Sequence, residues 1–195
     1  MGPPLGNATI LAILRELNAH VTVPLWLFGG VAVDFLVGRW TRPHSDIDLH
    51  AMADSRELLA EQLGRLGYRT KDQGWLTHWR QERTGDVVEI VFLSQAADGS
   101  PELHIPAGAA VGIPGRYPLW PDYLNPARFA TLDGVTFRVG SPAGEWLGRR
   151  KSVVAGRPNE PKIDHDLALL EGLIPSEELE RLRAQVSPCK SQNPR

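Results

Sequence analysis

Residues 24–49 read PLWLFGGVAVDFLVGRWTRPHSDIDL, and this stretch decides the fold. Pro24 precedes a short apolar run, Leu25 to Phe28, which reads as a buried strand. Gly29 and Gly30 break it, and Val31 to Val37 reads as a helix stopped at Gly38. A polar loop from Arg39 to Pro43 follows, and Ser45 to Ala51 alternates as a second strand. A strand that passes through two glycines into a helix brings bare backbone close to any ligand at the turn. The first helical amides point outward there and receive an anion.

The second strand carries Asp46 and Asp48, with Ile47 and Leu49 facing the other way. Alternation places both carboxylates on one face. Two like charges that close are costly, and a divalent cation relieves them. Glu89 lies in a later strand between Val88 and Ile90, where an acid needs a partner. If that strand neighbours the first acidic one, three carboxylates converge. Oxygen ligands of this kind suit a pair of metal ions at an in-line displacement on an α-phosphate, where one ion activates a hydroxyl and both stabilise the leaving pyrophosphate. The third acid can also accept the hydroxyl proton.

Outward from this stretch, Asn7 or Thr9 is expected to cap a first helix with Ile10, Ile13, Leu14 and Leu17 on one face. Ser55 opens an amphipathic helix carrying Leu58, Leu59, Leu63 and Leu66, closed by Gly67. Trp75 to Arg80 and Val87 to Leu93 flank a polar turn and predict an antiparallel hairpin. From Ser94 to Asp122 the chain is rich in Gly, Pro and Ala, and reads as an irregular segment with at most short strands, a candidate substrate loop. Asp133-Gly134 predicts a hairpin within Leu132 to Val139, and Ser141-Pro142 a helix start. Helices are expected over Ala143 to Val154, Ile163 to Leu173 and Pro175 to Gln185, before a disordered tail.

Composition narrows the function classes. The chain of 195 residues is 42% hydrophobic and 23% charged, as befits a globular protein with a real core. A net charge of −2 lacks the basic excess of a phosphate-gripping nucleic-acid binder, so a small-molecule acceptor is favoured. One cysteine, Cys189, permits neither an internal disulfide nor a zinc cluster. No apolar run is long enough to span a bilayer and Met1 to Asn7 lacks a signal-peptide pattern, which predicts a cytoplasmic protein without membrane partners.

Paired glycines before a helix, then D-x-D, then a third acid in a later strand resemble the DNA polymerase β-like nucleotidyltransferase superfamily. The longer string GRWTRPHSDIDL looks like the aminoglycoside and lincosamide nucleotidyltransferases, especially the aminoglycoside 2″-O-nucleotidyltransferase group. The likeness is clearest over Pro24 to Leu49 and weaker through Glu89, Ser141-Pro142, and Lys162 with Asp166. It implies an α+β fold: a nucleotidyltransferase lobe with a mixed sheet flanked by helices, then a C-terminal helical lobe. The boundaries expected are 1–140 for the first lobe, with 94–140 its irregular substrate region, 141–186 for the second, and a tail at 187–195. The resemblance further implies ATP as cosubstrate, two Mg²⁺ ions, and an aminoglycoside hydroxyl as acceptor of AMP, conferring antibiotic resistance. Alternatives are a lincosamide or other small molecule, tRNA or a protein as in nucleotidyltransferase toxins, and a catalytically silent nucleotide-binding module.

Under this resemblance Asp46, Asp48 and Glu89 are the catalytic and metal-binding residues, and Gly29, Gly30, Arg42, His44 and Lys151 bind the nucleotide. Two features depart from the pattern. Val31 stands where many superfamily members have a serine, and the third acid is glutamate where aspartate is commoner. Plainer readings compete residue by residue. His44 can be a loop residue, Arg39 and Arg42 can pair with Asp34, and Lys151 can belong to a solvated basic face with Arg149 and Arg150. Lys162 and Asp166 can form an i,i+4 surface pair, and Trp75, Trp79 and Trp120 can be core or edge residues.

Overall fold

The computed structural model describes residues 4–72, 74–109, 114–125, 127–154 and 160–186. The expected disordered tail and Cys189 lie outside them. Helix α1 (Asn7–His20) buries Ile10, Ile13, Leu14 and Leu17, joined by Leu11. Its N-cap is Gly6 and no side chain caps it, because the amides of Thr9 and Ile10 donate to the Gly6 carbonyl. The capping role expected of Asn7 or Thr9 is therefore absent.

Strand β1 (Trp26–Phe28) runs without a linker into α2 (Gly29–Val37), so both glycines belong to the first turn of that helix. Gly38 ends it in the left-handed conformation with φ 72°. Then come β2 (Ile47–Met52), a 3-10 turn (Ala53–Ser55) and α3 (Arg56–Arg65). Leu58 is 49% exposed, and the inward positions go to Leu59, Gln62 and Leu63. Gln62 tolerates burial because its oxygen accepts from the Thr22 amide at 3.0 Å and its nitrogen donates to the Thr22 hydroxyl at 2.7 Å.

Strands β3 (Tyr68–Arg69), β4 (Leu76–Gln81) and β5 (Val87–Gln95) complete a mixed sheet in the order β1-β2-β5-β4-β3. β2 and β5 are parallel, and the other neighbours antiparallel. The segment expected to be irregular holds a hairpin, β6 (Pro101–Ile105) with β7 (Gly115–Pro118). Its physical reason is tertiary: β5 overshoots its other neighbours, and Ser94 and Gln95 offer free edge to Glu102 and Pro101. A second hairpin, β8 (Phe129–Leu132) and β9 (Val135–Arg138), turns at Asp133 and Gly134, both with positive φ, as a two-residue hairpin loop requires.

Three helices follow: α4 (Pro142–Val154), α5 (Pro161–Glu171) and α6 (Ser176–Val186). The Ser141 hydroxyl accepts from the Gly144 amide at 3.1 Å, the cap that Ser-Pro predicts. One apolar core joins α1, α2, α3 and the sheet; a second gathers Trp146, Leu147, Ile163, Leu167, Leu170 and Leu182. Val33 of α2 belongs to the second core and Leu36 packs against both, so α2 is the seam between them.

Candidate active site

The parallel pairing of β2 with β5 sets Asp48 opposite Glu89. The conditional step in the sequence reading is thus met: the two acidic strands are neighbours. Asp46 lies one residue before β2 and accepts from the Ser45 hydroxyl at 3.2 Å. Burial, then the charge of Asp46, then that of Glu89, push the Asp48 carboxyl well above the usual carboxylate range, while Arg149 pulls it down.

The glycines make room for this cluster. Gly29 has φ 73°, and a Cβ there would overlap the Asp48 carboxylate, within 2.8 Å of its Cγ. A Cβ on Gly30 would lie 2.8 Å from both Arg42 Cζ and His44 Cε1. Backbone therefore approaches the acids on one side and a basic layer on the other as no other residue type permits.

That basic layer is tied down. Arg42 donates Nε and Nη2 to Asp166 of α5 at 3.0 and 2.9 Å, and its Nη1 lies 3.2 Å from His44 Nδ1. His44 is 4% exposed, with Nε2 2.6 Å from Asp34 Oδ2. Asp34, wholly buried, also accepts from the Thr41 amide and hydroxyl at 3.1 and 2.5 Å. The structure thus makes His44 a buried brace for the loop before β2. The partner of Arg42 is Asp166 rather than Asp34, and Lys162 pairs with Glu160 at 3.0 Å instead of with Asp166.

Glu145, Tyr123 and Arg149, the last expected on a solvated basic face, complete this site. Glu145 of α4 is 3% exposed; it accepts from the Gly29 amide at 3.2 Å, the Tyr123 hydroxyl at 2.5 Å and Arg149 at 2.5 Å. Arg149 also reaches Asp166 at 3.5 Å. A chain of charges therefore runs from Arg42 through Asp166 and Arg149 to Glu145 and the first amide of α2. Lys151 is exposed, so the basic residue α4 turns toward the carboxylates is Arg149. The i,i+4 spacing of Glu145 and Arg149 was a visible signal; their burial was not. Tyr123 packs over Gly140 and Gly144, where any Cβ would overlap its ring, and burial followed by the Glu145 charge push its phenol well above the usual range.

His50 sits two residues beyond Asp48 on the same strand face, 6% exposed. It stacks on Phe28 with ring centroids 3.9 Å apart, and meets the Tyr123 edge at 5.7 Å. Burial lowers its pKa to about 3, against a hydrogen bond to the Val91 backbone that acts the other way.

Among the described residues no group of three His, Cys, Asp or Glu side chains is gathered as a ready-made metal site. The donor chemistry nevertheless fits a hard cation held by one or two carboxylates and completed by phosphate and water, as Mg²⁺ is. Asp46 and Asp48 would supply the oxygens, and a cation would relieve the part of the upward push on Asp48 that comes, after burial, from the charges of Asp46 and Glu89. No helix of the described residues is long and apolar enough to cross a membrane.

A lincosamide resistance protein of Staphylococcus haemolyticus is 33% identical over 73 residues, 37% of this chain and 42% of that protein. A 2''-aminoglycoside nucleotidyltransferase of Escherichia coli is 41% identical over 70 residues, 34% of this chain and 37% of that protein. The matched segments thus span well under half of these curated relatives. Among solved structures, the antibiotic-resistance factor ANT(2'')-Ia superposes with a TM-score of 0.73 at 21% identity, covering 92% of each chain. Lincomycin-bound lincosamide antibiotic adenylyltransferase LnuA gives 0.65 at 21% identity over 88% of this chain and 100% of that one. These likenesses show the nucleotidyltransferase fold. The model of one family, described as aminoglycoside-2''-adenylyltransferase, matches residues 9–145, more than half of the chain, and the chain belongs to that family.

Proposed function

We propose that this chain transfers AMP from ATP to a hydroxyl of an aminoglycoside, releasing pyrophosphate and conferring resistance in the cytoplasm. The observation that carries the reading is the register of Asp48 against Glu89, with Gly29 backbone pressed on the Asp48 carboxylate. Residues 1–140 form the nucleotide-handling lobe in this reading and 141–186 the helical lobe that closes on it.

Asp46 and Asp48 hold Mg²⁺, with Glu89 sharing a second ion or taking the acceptor proton. When bound, the ions supply charge neutralisation at the triphosphate and a lower pKa at the attacking hydroxyl. The Gly29 amide already donates to Glu145, so the amides of α2 that receive phosphate begin at Gly30. Arg42, 21% exposed, faces phosphate from the loop, and His44 keeps that loop in place through Asp34. Lys151 is exposed and free to reach the triphosphate from outside, and Arg149 is the cationic counterweight of Asp48.

The lincosamide relative favours a second acceptor. A cleft for a polycation needs unpaired carboxylates, and several acids of the C-terminal half are paired: Glu102 to Arg116, Asp122 to Arg128, Glu160 to Lys162 and Asp166 to Arg42. The deciding experiment incubates the chain with ATP, Mg²⁺ and a panel of aminoglycosides and lincosamides. Pyrophosphate release with a drug heavier by one AMP supports the reading, and names the acceptor. Release with tRNA or protein alone would move the acceptor to those classes, and ATP binding without any release would leave a silent module.

A further inference from the structure

The row of residues that carries Asp48 and Glu89 continues one strand further. β1 pairs Phe28 with Asp48, β2 pairs Asp48 with Glu89, and β4 pairs His78 with Glu89. His78 Nε2 lies 3.4 Å from Glu89 Oε1. The other ring nitrogen, Nδ1, lies 2.8 Å from Asp72 Oδ2, and the same oxygen accepts from the His78 amide at 2.8 Å. Asp72 thus grips both the ring and the backbone of one residue, which fixes the ring's rotamer. Thr77, Trp79 and Gln81 face inward, and His78 stands on the opposite face, half exposed.

We propose that His78 is a positioning residue for Glu89, and this rests on the reading of Glu89 as the group that takes the acceptor proton. A glutamate has three side-chain torsions, and in a strand nothing but its neighbours selects among them. Contact with His78 at Oε1 restricts those torsions and so sets where the carboxylate stands beside Asp48. Asp72 holds Nδ1, so Nε2 is the ring atom presented to Glu89. An ordinary exposed ion pair would hold two residues on the surface and touch no chemistry. This one ends on a residue in register with Asp48.

The test compares His78→Leu, His78→Gln and His78→Asn at one fixed pH. Pyrophosphate release is followed with Mg·ATP and tobramycin, or lincomycin if that drug is the one turned over. His78→Leu lowers kcat about tenfold while KM for ATP stays within about twofold, the signature of lost orientation at the reacting group. Gln, whose amide nitrogen sits near the place of Nε2, restores most of the rate; Asn, which can reach only toward Asp72, does not. In a Glu89→Gln background His78→Leu adds no further loss. Full multiplication of the two losses, or a His78→Leu enzyme like wild type, overturns the role of His78 alone. A Glu89→Gln enzyme with normal kcat overturns the underlying reading of Glu89 instead. Crystal structures give an answer without turnover: the Glu89 carboxylate leaves its position in His78→Leu and keeps it in His78→Gln, and an unmoved carboxylate in His78→Leu overturns the proposal.

Discussion

Asp166 of α5 receives Arg42 on both oxygens, at 3.0 and 2.9 Å, and so joins the second apolar core to the loop that precedes β2. The Asp166 side chain is 4% exposed and that of Arg42 21%, so the pair is largely shielded from water. Breaking such a pair from one side leaves a charge without its partner. Asp166→Ala is expected to lower stability by about 3 kcal/mol, the lower end for a buried pair because Arg42 keeps some solvent. Chemical denaturation measures this, and a double-mutant cycle with Arg42→Ala should show strong coupling. Losses that simply add would mean that the two residues act apart.

Asp46→Asn and Asp48→Asn should fold normally and lose turnover by several powers of ten, about 4 kcal/mol or more of barrier. Asp48→Asn should also melt higher than wild type without metal at neutral pH, since a carboxyl pushed upward by burial and by Asp46 and Glu89 costs stability once ionised. Mg·ATP should then raise the melting temperature of wild type more than that of the variant. Activity within tenfold of wild type in either variant would remove both aspartates from the metal site.

Two glycines with nearly equal φ separate conformation from crowding. Gly29 has φ 73° and an Asp48 carboxylate where a Cβ would go; Gly38 has φ 72° and open space. Gly38→Ala should cost about 1 kcal/mol of stability and leave kcat unchanged. Gly29→Ala pays the same conformational cost and also displaces Asp48, so its rate should fall at least about a hundredfold. Equal effects of the two substitutions on rate would show that the close approach at Gly29 has no part in the chemistry.

Acid stability should report on His50. Its pKa falls from 6.5 to about 3 on folding, so the unfolded chain takes up a proton between those values and the folded chain does not. Stability from this group is complete above pH 6.5 and is lost as pH falls toward 3. His50→Phe keeps a ring against Phe28 and removes the titration. Its melting temperature should decline less than that of wild type between pH 7 and pH 4. Parallel declines would show that His50 is hydrated or charged in the folded protein.

Salt discriminates between acceptors. An aminoglycoside is a polycation, and its apparent affinity near Asp46, Asp48 and Glu89 should fall markedly as ionic strength rises from about 0.05 to 0.5 M, where the screening length shrinks severalfold. A lincosamide carries one amine and should respond far less. Calorimetric titration at several salt concentrations checks this, and affinity that ignores salt would exclude the polycation.

Local chemistry left clear traces in the sequence. The strand that carries Asp48, the glycines before α2, the Asp133-Gly134 turn and the Ser141 cap are all set by a few adjacent residues, whereas Asp46, expected inside that strand, falls one residue before it. Contacts across the chain were not legible. Glu145 meets Gly29 from 116 positions away, and nothing near either residue announces it. The apolar spacing of α3 misplaced Leu58, because Thr22, in the loop after α1, offers Gln62 the hydrogen bonds that let an amide go inward. Arg42 and His44 were legible as polar residues of one loop, but whether such groups face a ligand or each other depends on Asp34 and Asp166, which α2 and α5 deliver.

The strand that carries Glu89 also bears, at its far end, the β6–β7 hairpin, which among the described residues pairs with it at Ser94–Glu102 and Gln95–Pro101. Everything that aligns the acids lies upstream, where residues 88–93 pair with β2. Exposed positions of the hairpin such as His104 and Pro118 can therefore be varied while the pairing of residues 88–93 with β2 stays intact, whereas Glu102 and Ile105 are buried. A library confined to those exposed positions would sample new surfaces beside an unaltered row of acids.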